Sequence, residues 1–124
     1  MTNDQRRADA SDSWEVQVRK GVLELVVLAA LSGERQYGLQ LIRRLASEVG
    51  LTVAEGTLYP LLNRLRKEGL VDAEWVEADT GHPRRYYRLN SEGRRRATRM
   101  ARFWREFTSS LDPILTPLLG ERRR

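Results

Sequence analysis

Residues 53–70 read VAEGTLYPLLNRLRKEGL. Leu58, Leu61, Leu62 and Leu65 recur at i, i+3, i+4 and i+7, which is the buried stripe of one helix. Thr52 precedes the stretch as an N-cap, and Glu55 stands three residues on, the capping-box spacing. Gly69 is placed to end the helix as its C′ residue. The remaining surface offers Thr57, Tyr59, Asn63, Arg64 and Lys67. Their hydroxyls, amide and cations can bond to base edges and phosphates, so this helix fits a DNA groove. A merely solvated helix face has the same composition, so the neighbouring elements must decide.

Upstream, Tyr37–Val49 reads as a second helix with Leu41, Ile42, Leu45 and Val49 inward. Gly38 sits in its first turn, where a small residue allows a phosphate or another backbone to come close. Gly50–Thr52 is a tight turn between the two, and two helices so joined make a helix-turn-helix. Trp14–Leu31 reads as the first helix, and its part from Val22 to Leu31 is apolar nearly all round. One side of it packs on the core, and the other, with Val22 and Leu25, needs a cover that a partner subunit would supply. Residues 1–13 are polar, mixed in charge and non-periodic, and read as a disordered tail.

Downstream of Gly69 the period changes from 3.6 to 2. Val71, Ala73 and Trp75 alternate with Asp72 and Glu74, and Arg84–Leu89 alternates again after a turn holding Asp79, Gly81 and Pro83. That predicts a two-stranded hairpin with a loop of about six residues, a wing packed on the helices. Tyr86 and Tyr87 alternate faces, so only one of them belongs to the core. Asn90 or Ser91 caps a fourth helix. In it Ala97, Met100, Trp104, Phe107 and Leu111 are spaced three, four, three and four apart, a short heptad seam for helix–helix association. Asp112-Pro113 breaks or restarts that helix. The expected organisation is a tail at 1–13, a winged helix-turn-helix at 14–90, a dimerisation helix at 91–119 and a basic tail at 120–124. The fold class is mainly α with a small β hairpin.

The chain has 124 residues and a net charge of +5. Its distribution matters more than its size: from Arg84 to Arg105 there are nine arginines and one acid, Glu92. With no cysteine there is no disulfide framework or thiolate metal site. The single histidine, His82, reads as a surface turn residue. Glu15, Glu24, Glu34, Glu48 and Glu68 read as ordinary solvated carboxylates without an acid–base pair, and no Gly-rich phosphate loop appears. An enzyme is disfavoured, and no cofactor or metal is expected. The apolar run Val22–Leu31 contains Glu24 and is too short to span a bilayer. The N-terminus does not read as a signal peptide, so a cytoplasmic protein is expected.

Together, Tyr37-Gly38, GTLYPLLNRLRKEGL at 56–70, Trp75, PRRYYRL at 83–89 and Ser91-Glu92-Gly93 resemble the PadR family of transcriptional regulators. The resemblance covers roughly Gly21–Gly93. Asn90 departs from it, standing where the family usually has Thr, though Asn also caps helices. The resemblance implies a homodimeric winged helix-turn-helix, usually a repressor, binding double-stranded operator DNA, with the fourth helix and part of the first making the dimer. The single short fourth helix is similar to the smaller subgroup of the family. Some of that subgroup bind planar aromatic compounds between tryptophans of the two subunits. Trp104 lies where such a tryptophan would lie, with Met100, Phe103 and Phe107 near it, although a packed interface residue would show the same spacing.

On this basis Thr57, Tyr59, Asn63 and Arg64 are expected in the major groove and Lys67 nearer the backbone. Tyr37, with Gly38, would meet a phosphate at the start of the second helix, or else Tyr37 packs on the core with its hydroxyl at the surface. Arg84 and Arg85 would reach flanking phosphates or the minor groove from the wing. A winged helix serving only as a protein-interaction module, its basic wing docked on an acidic partner, is the rival.

Overall fold

A computed structural model of the chain describes the backbone of residues 2–120 and the side chains of residues 13–120. Helix α1 spans Thr2–Ala30. It begins well before Trp14, so residues 2–13, which the sequence pattern assigns to a disordered tail, are helical. No glycine or proline interrupts them, and the Ala, Gln and Arg among them are good helix formers. Extending a helix that is already nucleated adds one bond per residue fixed, so a polar stretch can continue a packed one. Val27, Leu28 and Leu31 anchor its C-terminal end in the core, with Leu23 and Val26 packed against them. The terminal carbonyl of Ala30 accepts from Gln36 Nε2 at 2.6 Å and from an Arg44 nitrogen at 2.8 Å. These bonds satisfy a helix end that would otherwise be orphaned, and they explain why Gln36 can be buried.

A short strand β1, Gln36–Tyr37, precedes α2, Gly38–Arg44. Tyr37 is therefore the N-cap of α2 and not its first turn. The last turn, Leu45–Val49, widens to π geometry and closes on Gly50 at φ +68°. That turn leaves Val49 exposed, contrary to the 3.6-residue pattern, while Leu41 and Leu45 are buried. The connection then runs extended to Ala54, with Leu51 and Val53 buried in the core.

Helix α3 is Glu55–Lys67 with Ala54 as N-cap, so Thr52 does not cap it. Magnitudes account for the difference. A side-chain cap contributes about 1 kcal/mol, whereas burying Leu51 and Val53 contributes about 1.5–3 kcal/mol each. The C-terminus ends as the spacing predicts: Gly69 N–H donates to Arg66 O, Leu70 N–H to Leu65 O, both at 3.0 Å, and Gly69 has φ +80°.

Strands β2, Val71–Val76, and β3, Arg84–Leu89, pair antiparallel with Val71 opposite Leu89 and Val76 opposite Arg84. β1 pairs with the other edge of β3, giving the order β1-β3-β2. A two-residue strand is too short to show a period, which is why the sequence predicts only two strands. Of the two tyrosines, Tyr87 is the core residue, beside Val71 and Leu89.

Helix α4, Ser91–Ser110, is capped by Asn90, whose Oδ1 accepts from Gly93 N–H at 2.9 Å. Asn90 also donates from Nδ2 to Gly69 O at 2.9 Å, and its backbone N–H to Leu70 O at 3.2 Å. Ala97 is buried in the core of its own chain and Met100 packs against that core. The N-terminal part of the predicted dimerisation seam therefore serves the winged-helix core. α4 ends at its C-cap, Leu111, which keeps right-handed helical angles, and a separate helix α5, Asp112–Leu119, follows and closes on Gly120 at φ +69°. The basic residues 121–124 lie outside the described residues.

A Cβ on Gly93 would overlap the Leu70 carbonyl. Gly93→Ala is expected to lower the unfolding free energy by about 1–3 kcal/mol in a urea titration, as overpacking does. Helix propensity alone would raise it by up to about 1 kcal/mol, so a gain in stability would contradict the close contact.

Candidate nucleic-acid interface

At 100° per residue, the buried Leu58, Leu62 and Leu65 put Gly56, Pro60, Asn63 and Lys67 on the opposite, outward side of α3. Asn63 and Lys67 are exposed, and Asn63 Oδ1 accepts from an Arg66 nitrogen at 3.0 Å. Pro60 removes the amide that would bond the Gly56 carbonyl, and both residues lie on the outward side. The two flanks of the helix differ. Tyr59 faces α2 and the wing. Thr57 and Arg64 face α1.

On the wing flank, the Tyr59 ring covers Gly38, which is buried; a Cβ there would overlap the ring and its hydroxyl. Gly38 thus seats a tyrosine of the same chain, and the close approach anticipated for a phosphate is taken by that ring. Burial, with Glu55 and Tyr87 adding, raises the Tyr59 phenol above its ordinary value, so its hydroxyl stays a donor. Beyond it a cleft of about 460 Å³ opens between the helices and the wing, lined among others by Tyr37, Arg43, Tyr59, Trp75, Arg84 and Arg85.

Arg84 and Arg85 point to opposite faces of β3. The Arg84 guanidinium lies 4.6 Å from the Tyr37 ring centroid, and the Tyr37 ring meets Tyr86 edge-on at 5.4 Å. Arg85 lies 5.7 Å from both the Trp75 and Tyr87 rings, and its buried Nε has no partner among the described residues. Trp75 is 67% exposed. Tyr37 is therefore stacked within the sheet surface while still reaching the cleft. Arg43 and Trp75 were not singled out as site residues from sequence. The signal for Trp75 was its place in the alternation of β2, an aromatic beyond the end of the packed core; Arg43 carries no such signal.

Charge is arranged unevenly. Arg35, Arg44, Arg64, Arg95 and Arg96 each have a carboxylate partner, whereas Arg43, Arg84 and Arg85 have none among the described residues. Unneutralised cations beside the outward face of α3 form a surface suited to a polyanion. Arg64 is different: it bonds Glu24 of α1 and Glu68, so it is engaged within the chain and not free for the groove.

The apolar strip lies elsewhere. Phe103, 64% exposed, stacks on Phe107 with centroids 5.7 Å apart and planes 6° from parallel, and Trp104 and Phe107 are also exposed. Val22 and Leu25 of α1 are half-buried, and Leu111 sits at the α4–α5 joint.

The model of the Transcriptional regulator PadR-like family matches residues 27–99. The chain belongs to that family. A PadR-family regulator from Eggerthella lenta is 32% identical, covers 90% of this chain and 96% of its own, and superposes with a TM-score of 0.82. A PadR-like regulator from Bacillus cereus is 31% identical, with coverage of 80% and 96% and a TM-score of 0.72. A transcriptional regulator of Mycobacterium tuberculosis is 35% identical over 78 residues, 63% of this chain and 71% of the relative. As a PadR-like protein, the chain is a DNA-binding transcriptional regulator and not an enzyme. No helix among the described residues is long and apolar enough to cross a membrane.

Because the Tyr59 ring and Gly38 occupy one another's space, Gly38→Ala is expected to cost about 1–3 kcal/mol of stability. The loss should shrink in a Tyr59→Ala background, measured as a double-mutant cycle in urea. An equal loss in both backgrounds would show that the glycine is needed for another reason.

Proposed function

We propose that this PadR-like protein is a homodimeric repressor that reads a pseudo-palindromic operator in the cytoplasm. In this account the outward side of α3 enters the major groove. Asn63 contacts bases, Lys67 contacts phosphate, and Thr57 and Tyr59 contact the groove edges on either flank. Tyr37, Arg84 and Arg85 hold the strand between α3 and the wing. The observation that carries this is the set of cations without a carboxylate partner among the described residues, Arg43, Arg84 and Arg85, gathered beside an exposed polar helix face. An acidic protein partner would be drawn to the same charge, but it gives no reason for an exposed amide and a lysine to share the face opposite the leucine stripe.

A dimer doubles a small contact set by effective concentration and matches two half-sites about one helical turn apart or a multiple of it. The exposed Trp104 and Phe107, together with the half-buried Leu111 and Val22 and Leu25 of α1, are proposed to bury against a second copy. Ala97 is omitted because its own chain already covers it. A planar aromatic effector is proposed to lie between the Trp104 rings of the two subunits, beside Met100, Phe103 and Phe107. It releases DNA only as far as it binds one arrangement of the dimer better than the other.

By fluorescence anisotropy, a duplex from upstream of the protein's own gene should bind tighter than a scrambled duplex. Asn63→Ala should remove about 1–3 kcal/mol of that discrimination. Lys67→Ala should weaken both complexes and lower the salt slope by about 1. Equal wild-type affinity for the two duplexes would reject specific recognition. In a screen of planar aromatic dyes, any dye that releases DNA from the wild-type protein should fail to do so with a Trp104→Ala protein that remains dimeric. Undiminished release would remove Trp104 from the effector site.

A further inference from the structure

The α1 flank of the reading helix holds a charge cluster that the groove contacts do not use. Glu24, two turns before the C-terminal end of α1, has a side chain only 24% exposed. One of its carboxylate oxygens accepts from Arg64 of α3, and the other stands 3.8 Å from a guanidinium nitrogen of Arg96 on α4. Arg64 also bonds Glu68 at 3.1 Å. Two carboxylates and two guanidiniums cancel, so Arg64 adds no net charge to α3, although its side chain is 49% exposed. The Glu24 hydrogen bond is the main cause that raises the Arg64 guanidinium above its ordinary value. Glu68, an exposed neighbour one turn along the same helix, is the weaker holder of the two.

We propose that Glu24 is a specificity-determining positioning residue that withholds Arg64 from DNA phosphates. Arg64 lies one turn from Lys67 on the reading helix, and its side chain is long enough to reach a phosphate at the groove edge once released. A cation freed there strengthens binding to every duplex alike, because phosphate neutralisation carries no sequence information. By tying Arg64 back to α1, Glu24 leaves discrimination to Asn63 and its neighbours. It also ties the reading helix to α4. This inference rests on α3 being the groove helix.

The test uses Glu24→Gln, Arg64→Gln and the double variant of the full chain, matched to wild type in circular dichroism and oligomeric state. Each is titrated against a scrambled duplex and the upstream duplex between about 50 and 200 mM salt. Glu24→Gln should bind the scrambled duplex several-fold tighter, with a slope steeper by about 0.9, and the gap between the duplexes should narrow. Arg64→Gln should leave the wild-type slope unchanged, and the double variant should return to it. An unchanged slope in Glu24→Gln overturns the inference. So does a steep slope persisting in the double variant, which would assign the freed charge to Arg96. If Glu24→Gln does not fold, Arg64→Gln decides alone, since a slope shallower by about 0.9 would mean that Arg64 already meets phosphate. Equal wild-type affinity for both duplexes would count against the groove reading itself, while the Glu24→Gln slope would still decide whether Glu24 withholds charge.

Discussion

The first turn of α4 lies directly on the carbonyl of Leu70, an approach that only a residue without a side chain permits. Gly93 supplies it. Asn90 completes the joint by capping α4 with one end of its amide and bonding the Gly69 carbonyl with the other. The end of the reading helix, the base of the wing and the start of α4 therefore meet at one point. The angle between α3 and the apolar strip of α4 follows from that contact. Hydrogen bonds that share one residue in this way, together with the close approach of Gly93 to Leu70, define one arrangement.

From this joint the two flanks of α3 diverge in character. Towards the wing, aromatic rings and unpaired arginines surround an open cleft. Towards α1, the carboxylates of Glu24 and Glu68 hold Arg64. The arginines that line the cleft beside α3 are therefore on its wing side. Free positive charge strengthens encounter with any duplex, so the proposed strand position beside the cleft arginines favours affinity while the tethered Arg64 limits it. The same sheet surface shows how the chain keeps such charge ordered: Arg84 rests on Tyr37, and Arg35 lies 4.7 Å from the Tyr86 ring while bonding Glu74 at 2.7 Å.

Elements that rest on local periodicity were legible in the sequence. The leucine stripe of α3, its glycine stop, the change of period into the hairpin and the cap at Asn90 depend on neighbours within a few residues. So did the family, since its motifs sit on those same elements. What was not legible depends on partners far along the chain. Thr52 has the composition of a cap, but Leu51 and Val53 on either side are drawn into the core and hold the segment extended. Ala97 fits a heptad seam, yet the core of its own chain covers it. Arg64 has the look of a groove residue until Glu24, forty positions away, is placed beside it. Glu24 itself reads as a solvated acid for the same reason. The π turn that exposes Val49 and the two-residue strand β1 carry no periodic signal at all.

The account turns on two copies of this domain presenting α3 and the wing to one face of a duplex. Hydroxyl-radical footprinting on the region upstream of the gene tests that most directly. It should show paired protected patches on one face of the DNA, their centres about 10–10.5 base pairs apart or a multiple of that spacing. A single protected patch, or protection spread evenly over unrelated sequence, would contradict it.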